Sequence, residues 1–249
     1  MNWNDVVQKV MPYVVRIETP GGYGTGFACF YNINKGYVAL ATAYHVVQHA
    51  HQWHEPIRIN HQGSDLVFLR EGERFIFSDS ARDSAVILVP SSKFKLPEAL
   101  IQLRPIEARL PIGAEVGWLG FPAVTHTLCF FSGNVSAFQE AQSAYLIDGV
   151  AINGVSGGPV LFSHATEGVQ IVGSISAYIA NRATGEALPG LSVAQDVSHF
   201  HAAAAHVKSI DEAVKKQAEE EAAAAAQAAK GSNAGERGAE GMSAGRSTG

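Results

Sequence analysis

The chain of 249 residues is 47% hydrophobic and 16% charged, enough to bury one large β domain or two small ones. Its formal net charge of −5 and the lack of any basic run interleaved with aromatics exclude a general nucleic-acid binder.

The opening MNWNDVVQKVMPYVVRIE lacks a basic segment followed by a long apolar core, so no signal peptide is expected. No stretch approaches the length of an apolar membrane span, and the expected location is the cytoplasm, without membrane contact. From about residue 10 to 197 the texture is β: short runs rich in Val, Ile, Phe and Tyr, cut by Gly, Pro, Asn and Asp. VVRIE, GTGFACFYN, GYVALATA, DLVFLR, RFIFSD and SAVILVP are strand candidates in the first half. EVGWLGFP, TLCFFSGNVSAF, AYLIDGVA, GPVLF, VQIVGSISAYI and LSVAQDV follow in the second. So many strands without amphipathic helices between them predict an all-β chain of sandwiches or barrels. Cys29 and Cys129 lie inside apolar runs (GFACF, LCFFSG) and read as buried thiols rather than a disulfide or metal pair. GGYGTG (21–26) lacks the GK[ST] ending of a phosphate loop and reads as a turn into a strand.

The texture changes near Ser198. HFHAAAAHVKSIDEAVKKQAEEEAAAAAQAAK predicts an Ala-rich helix over 198–230, with Phe200, Val207, Ile210 and Val214 as an apolar stripe. Lys215–Glu219 and Lys216–Glu220 fall at i,i+4 spacing. Residues 231–249 read as a flexible low-complexity tail. The helix is expected to be solvated, with a protein partner as the other option.

The chemistry-bearing stretch is AINGVSGGPV (151–160), which sets Ser156 among glycines. A nucleophilic serine requires a base, a group to orient that base, and donors for the oxyanion. His45, where the apolar strand VALATA ends, is the candidate base. Asp83, at the start of the buried-looking SAVILVP run, is the candidate orienter, with Asp79 in SDSARD as a competitor. The backbone N–H groups of Gly154 and Ser156 are the candidate oxyanion hole, because Gly154 permits the sharp turn that two converging amides need. His45, His49, His51 and His54 invite a metal reading, but H-E-x-x-H is absent and a solvated rim loop accounts for them. No metal or cofactor is expected.

In the order His, Asp, Ser, this pattern resembles the trypsin-like serine peptidases, and most closely their HtrA (Deg) branch. The resembling residues are VQKVMPYVVRI near the start, GTGF (24–27), TAYHV (42–46), DSAVI (83–87) and GWLGFP (117–122). SGNVSAF (132–138), GVSGGPV (154–160), VGSISAY (172–178) and GLSVAQDV (190–197) complete the set in family order. The resemblance implies two packed six-stranded antiparallel β-barrels over 1–197, divided near 95–112, with the cleft between them and a C-terminal helix. It assigns His45 as general base then acid, Asp83 as its orienter and Ser156 as nucleophile. Ser176 matches the position that supports the catalytic Asp, and residues 174–178 match the strand that pairs with an extended substrate, placing Ser174, Ser176, Ala177 and Tyr178 at the substrate.

The departures are informative. Val155 stands where trypsin-type enzymes carry the Asp that pairs with a new N-terminus, so activation by that ion pair is excluded. Their disulfides are missing, which fits a reducing compartment. The Ala-rich helix stands where HtrA proteins usually add a PDZ domain, which puts regulation through a second domain in doubt. Val150 occupies the position whose acidic residue gives trypsin its basic preference, with Tyr178 on the pocket wall and Gly190 opposite. An uncharged pocket cannot offset the desolvation of Lys or Arg, so small or medium apolar residues are expected at the cleavage site. Asp148 is close enough that a shifted register would change this reading. The competing function is a protease-fold module that binds peptide or protein with a silent triad.

Overall fold

The described part of this computed structural model comprises residues 2–125, 127–180 and 187–239, without the side chains of 178–180, 187–189 and 228–239. The first segment, α1 (Trp3–Val10), is capped by Asn2, whose side chain accepts the N–H of Asn4, and buries Val6 and Val10. Trp3 packs on Phe130 at a centroid distance of 5.2 Å and donates its Nε1–H to Glu115.

The first sheet is built from β1 (Val14–Thr19), β2 (Gly22–Tyr31), β3 (Tyr37–Ala43), β4 (Ile57–His61), β5 (Val67–Leu69), β6 (Phe75–Asp79) and β7 (Ser84–Pro90). The helix α2 (Tyr44–Gln52) separates β3 from β4. The strand order is β5-β4-β1-β2-β3-β7-β6, with antiparallel neighbours. The paired strands β3 and β7 (YVALATA, SAVILVP) are buried along nearly their whole length, as their unbroken apolar runs require. β4, absent from the strands expected from sequence, alternates buried Ile57, Ile59 and His61 with exposed Arg58 and Asn60. The buried His61 masked that alternation; its Nε2 meets the Pro12 carbonyl at 2.7 Å.

The second sheet contains β8 (Gln102–Leu103), β9 (Glu115–Gly120), β10 (Cys129–Gln139), β11 (Ala144–Asp148), β12 (Pro159–His164), β13 (Gly168–Ala180) and β14 (Ala187–Asp196). Its order is β12-β9-β10-β11-β14-β13-β8, and β12 also pairs with β13, which closes six of the strands into an antiparallel barrel. Trp118, Val116, Ile147, Val160 and Val172 fill its interior.

The two-barrel, all-β architecture with a C-terminal helix is therefore present, with one difference. The first barrel is a half-barrel of seven strands: among the described residues, β5 and β6 share no ladder. β5 is three residues long, too short to zip onto β6. The buried Arg74, just before β6, bridges the seam instead by donating to the carbonyls of Leu69 (2.8 Å), Ala50 (3.1 Å) and Glu55 (2.5 Å).

The helix α3 (Ser198–Ala239) starts where the composition changes and continues past Lys230, the end expected from sequence. Glycine costs only about 1 kcal/mol inside a helix that is already propagating, so Gly231 does not stop it. Phe200 is fully buried, edge-on to Phe27 at 5.7 Å, whereas Ile210 and Val214 are exposed. The described residues up to Ala205 and those from His206 to Ala239 fall into separate compact units. Among the described residues no helix is long and apolar enough to cross a membrane. The tail expected over 231–249 falls beyond the described residues from position 240 onward.

Candidate active site

His45 enters the site because β3 ends at Ala43 and α2 begins at once. Val46, Val47 and Ala50 anchor the buried face of α2, leaving His45 on its exposed face. Asp83 sits immediately before β7 with φ = 47°, in the left-handed region that Asp tolerates better than most residues. This turn lets one carboxylate grip His45 twice. Asp83 Oδ1 accepts the His45 backbone N–H at 2.8 Å, and Oδ2 lies 2.8 Å from His45 Nδ1. With a carboxylate as acceptor, Nδ1 is the donor and Nε2 faces away from Asp83. Ser176, on β13, donates its hydroxyl to the same Oδ2 at 2.7 Å.

Burial pushes the Asp83 carboxyl upward, but the hydrogen bonds from His45 and Ser176 and the His45 charge outweigh it. They leave it below its ordinary value of 3.8. Asp83 is thus an anion at neutral pH. Asp79 holds its own loop instead, capping the N–H groups of Ala81 and Arg82 at 3.1 Å and pairing with the Arg82 guanidinium at 2.8 Å.

Ser156 lies between β11 and β12 in the turn 152–158. Gly154 takes φ = +92°, and a Cβ there would come within 2.3 Å of the Phe121 carbonyl oxygen, so only glycine fits. The carbonyl of Asn153 accepts from Ala123 N–H at 2.8 Å, and in a trans peptide this turns the Gly154 N–H the opposite way. Val155, Gly157 and Gly158 spend their N–H groups on Ile152, Ile175 and Val155 carbonyls. Among the described residues, the Gly154 and Ser156 N–H groups have no acceptor, which leaves two donors of the same turn for an anion.

His45, Asp83, Ser156, Ser176 and Ala177 line one groove of about 400 Å³, together with Ala151, Ile152, Asn153 and Ile175. The Ser156 hydroxyl points at the Ser176 carbonyl oxygen, 3.5 Å away, and makes no hydrogen bond to His45 among the described residues. Rotation about the Cα–Cβ bond of Ser156 moves its Oγ between staggered positions without disturbing the backbone.

The remaining sequence-derived positions divide. Ser174 is fully buried, and its backbone lies between Pro159 on β12 and Gln195 on β14, so it has no free edge for a substrate strand. From Ser176 onward β13 has only β14 as neighbour among the described residues, which leaves its other edge open. Val150 is half exposed and does not line the groove. Gly190 (φ = +86°) accepts the Gly149 N–H at 2.8 Å, and the exposed Asp148 has a carboxylate oxygen 3.6 Å from where a Gly190 Cβ would sit. The Tyr178 side chain lies outside the described residues. No group of three His, Cys, Asp or Glu able to hold a metal ion occurs among the described residues, and His49 is paired with Glu55 at 3.1 Å. Both cysteines are free; Cys29 is buried, which pushes its thiol well up.

Thr25 was given no role by the sequence, although it sits within the GTGF stretch. It is buried on β2 and bonded to both Gly154 and Ser156. A lone threonine in a glycine-rich strand gives no local sign of partners more than a hundred residues away.

No protein-family description matches the sequence, and neither does any curated protein. Among solved structures, the crystal structure of the serine endoprotease from Yersinia pestis is similar to it, with a TM-score of 0.61 and 21% identity. The match covers 83% of this chain and 66% of that one, so this chain spans a little less than two thirds of its neighbour. The likeness shows a chymotrypsin-like two-barrel fold.

Proposed function

We propose that the protein is a serine endopeptidase that works through an acyl-enzyme. The observation that carries this reading is the hydrogen-bonded series Ser176–Asp83–His45 opening into the same groove as Ser156. The unspent Gly154 and Ser156 amides beside it support the reading further.

In the proposed reaction, Ser156 Oγ attacks a peptide carbonyl carbon while His45 Nε2 takes its proton. The carbonyl oxygen becomes an anion held by the Gly154 and Ser156 N–H groups. His45 then gives the proton to the leaving amine as the C–N bond breaks. Water, deprotonated by His45, repeats the sequence on the ester and frees Ser156. Asp83 stays ionised throughout, keeping the ring oriented and stabilising the imidazolium.

For the residue before the cut we propose a small or medium apolar side chain, on the resemblance that sets the uncharged Val150 at the specificity position. In the structure Val150 lies outside the groove, whose lining beside Ser156 includes the apolar Ala151, Ile152 and Ile175. A peptide-library profile dominated by Arg or Lys would overturn this preference and point to Asp148. The two free cysteines support a reducing, cytoplasmic setting.

The Ser156 hydroxyl rests on a backbone carbonyl rather than on His45, and this favours the second reading, a silent module that binds polypeptide. A fluorophosphonate probe separates the two. Labelling of the parent, absent from Ser156→Ala, is expected for the peptidase. A parent that resists the probe even with added peptide supports the module.

A further inference from the structure

We infer that Thr25 is a positioning residue, holding the oxyanion-binding turn in its working shape from the opposite sheet; this rests on the peptidase reading. Thr25 is fully buried, and each of its polar groups is engaged. Its N–H donates to the Ser156 carbonyl at 2.8 Å, and its carbonyl accepts from the Thr42 hydroxyl at 2.7 Å. Its own hydroxyl donates to the Gly154 carbonyl at 2.8 Å and accepts the Phe121 N–H at 3.0 Å. One residue of the first sheet thus grips the nucleophile turn twice, while Phe121, just beyond β9 of the second sheet, grips Thr25.

The consequence falls on Gly154. The peptide before it is clamped through Asn153, whose carbonyl takes the Ala123 N–H, and the peptide after it is clamped by the Thr25 hydroxyl. Because a planar peptide turns as a unit, fixing the carbonyl on each side of Gly154 fixes both of its dihedrals. Glycine has wide freedom around φ = +92°, so where the Ser156 N–H lies relative to the Gly154 N–H depends on how firmly the following peptide is held, by the Thr25 hydroxyl on its carbonyl and by the Val155 N–H on Ile152. Close approach makes the clamp possible: a Cβ on Gly24 would meet Val46 at 2.5 Å and the Ser156 carbonyl at 3.0 Å. Valine has threonine's shape but would leave the Gly154 carbonyl and the Phe121 N–H unpaired. Serine would keep both bonds.

The test compares the parent with Thr25→Val and Thr25→Ser. It measures the second-order rate of fluorophosphonate labelling against pH, the thermal midpoint, and hydrogen exchange of the 151–158 segment by mass spectrometry. Thr25→Val is expected to lower the labelling plateau by about 10²-fold, the scale of a misplaced oxyanion donor. The pH midpoint should stay put, since His45 and Asp83 are untouched, and exchange in 151–158 should quicken. Thr25→Ser should recover to within about fivefold of the parent. Should the valine variant fail to fold, Thr25→Ala removes the hydroxyl with less bulk and replaces it. A folded variant that labels at the parental rate despite a lower thermal midpoint overturns the inference, as does a serine variant as impaired as valine. If the parent itself resists the probe, the peptidase reading falls, and exchange alone decides: quickening confined to 151–158 upholds the clamp, and unchanged exchange overturns it.

Discussion

The half-barrel and the closed barrel position their parts of the site by different means. The first sheet supplies His45 and Asp83, and side-chain hydrogen bonds fix them: Asp83 grips the His45 ring and its backbone N–H, and Arg74 fastens the open seam. The second barrel supplies Ser156, and backbone fixes it, through a turn whose Gly154 has no room for a methyl group. In the proposed reaction, proton handling would therefore depend on single polar atoms. Placement of the Ser156 turn depends on steric limits that a single methyl group violates.

Substitutions on the two sides should expose this contrast. The largest effect is expected from Asp83→Asn, which keeps the shape but reverses the tautomer that Asp83 imposes on His45. Activity should fall by about 10⁴-fold with little change in thermal midpoint. A variant with more than a tenth of parental activity would remove Asp83 from the mechanism.

Gly154→Ala attacks the other side. Its methyl would press on the Phe121 carbonyl at a φ that alanine rarely adopts, and loss of the oxyanion donor should cost about 10²- to 10³-fold in kcat. Here the thermal midpoint should drop as well. Parental stability and rate together would show that the turn is not constrained as described.

Arg74→Met tests the seam. It removes the donors to two buried carbonyls and a part-buried one, and about 3 kcal/mol of stability should go with them. Denaturant unfolding reads this directly. An unchanged midpoint would mean that the half-barrel needs no bridge.

The smallest effect, roughly tenfold in rate, is expected from Ser176→Ala, which takes one donor from Asp83. It also carries a pH signature. Because the folded-state pKa of Asp83 is depressed, its contribution to stability is present above the ordinary value of 3.8 and is lost as pH falls through the lower folded value. Ser176→Ala should move that loss to higher pH, toward 3.8. A stability profile identical to the parent below pH 4 would contradict the assignment.

The sequence reveals the two kinds of constraint unequally. That His45, Asp83 and Ser156 meet in one groove was legible from their residue types and chain order. β3 and β7 were legible because unbroken Val, Ile and Ala runs admit little else. β4 was not, since its third buried position is a histidine satisfied by a distant carbonyl. The open seam was not either, because strand closure is a pairing between segments that local pattern does not encode. The left-handed Asp83 and the clamp from Thr25 belong to the same class: each depends on partners brought in by the fold. Ser174 misled in the opposite sense, lying on the right strand but between two neighbours that leave it no free edge.

The most direct test is a crystal structure of the protein phosphonylated by the fluorophosphonate probe. The adduct is expected on Ser156 Oγ, its oxygen about 2.7–3.1 Å from both the Gly154 and Ser156 nitrogens. His45 Nε2 should lie within hydrogen-bond reach of the bonded oxygen. An adduct on another residue, or one whose oxygen faces away from both amides, would contradict the account.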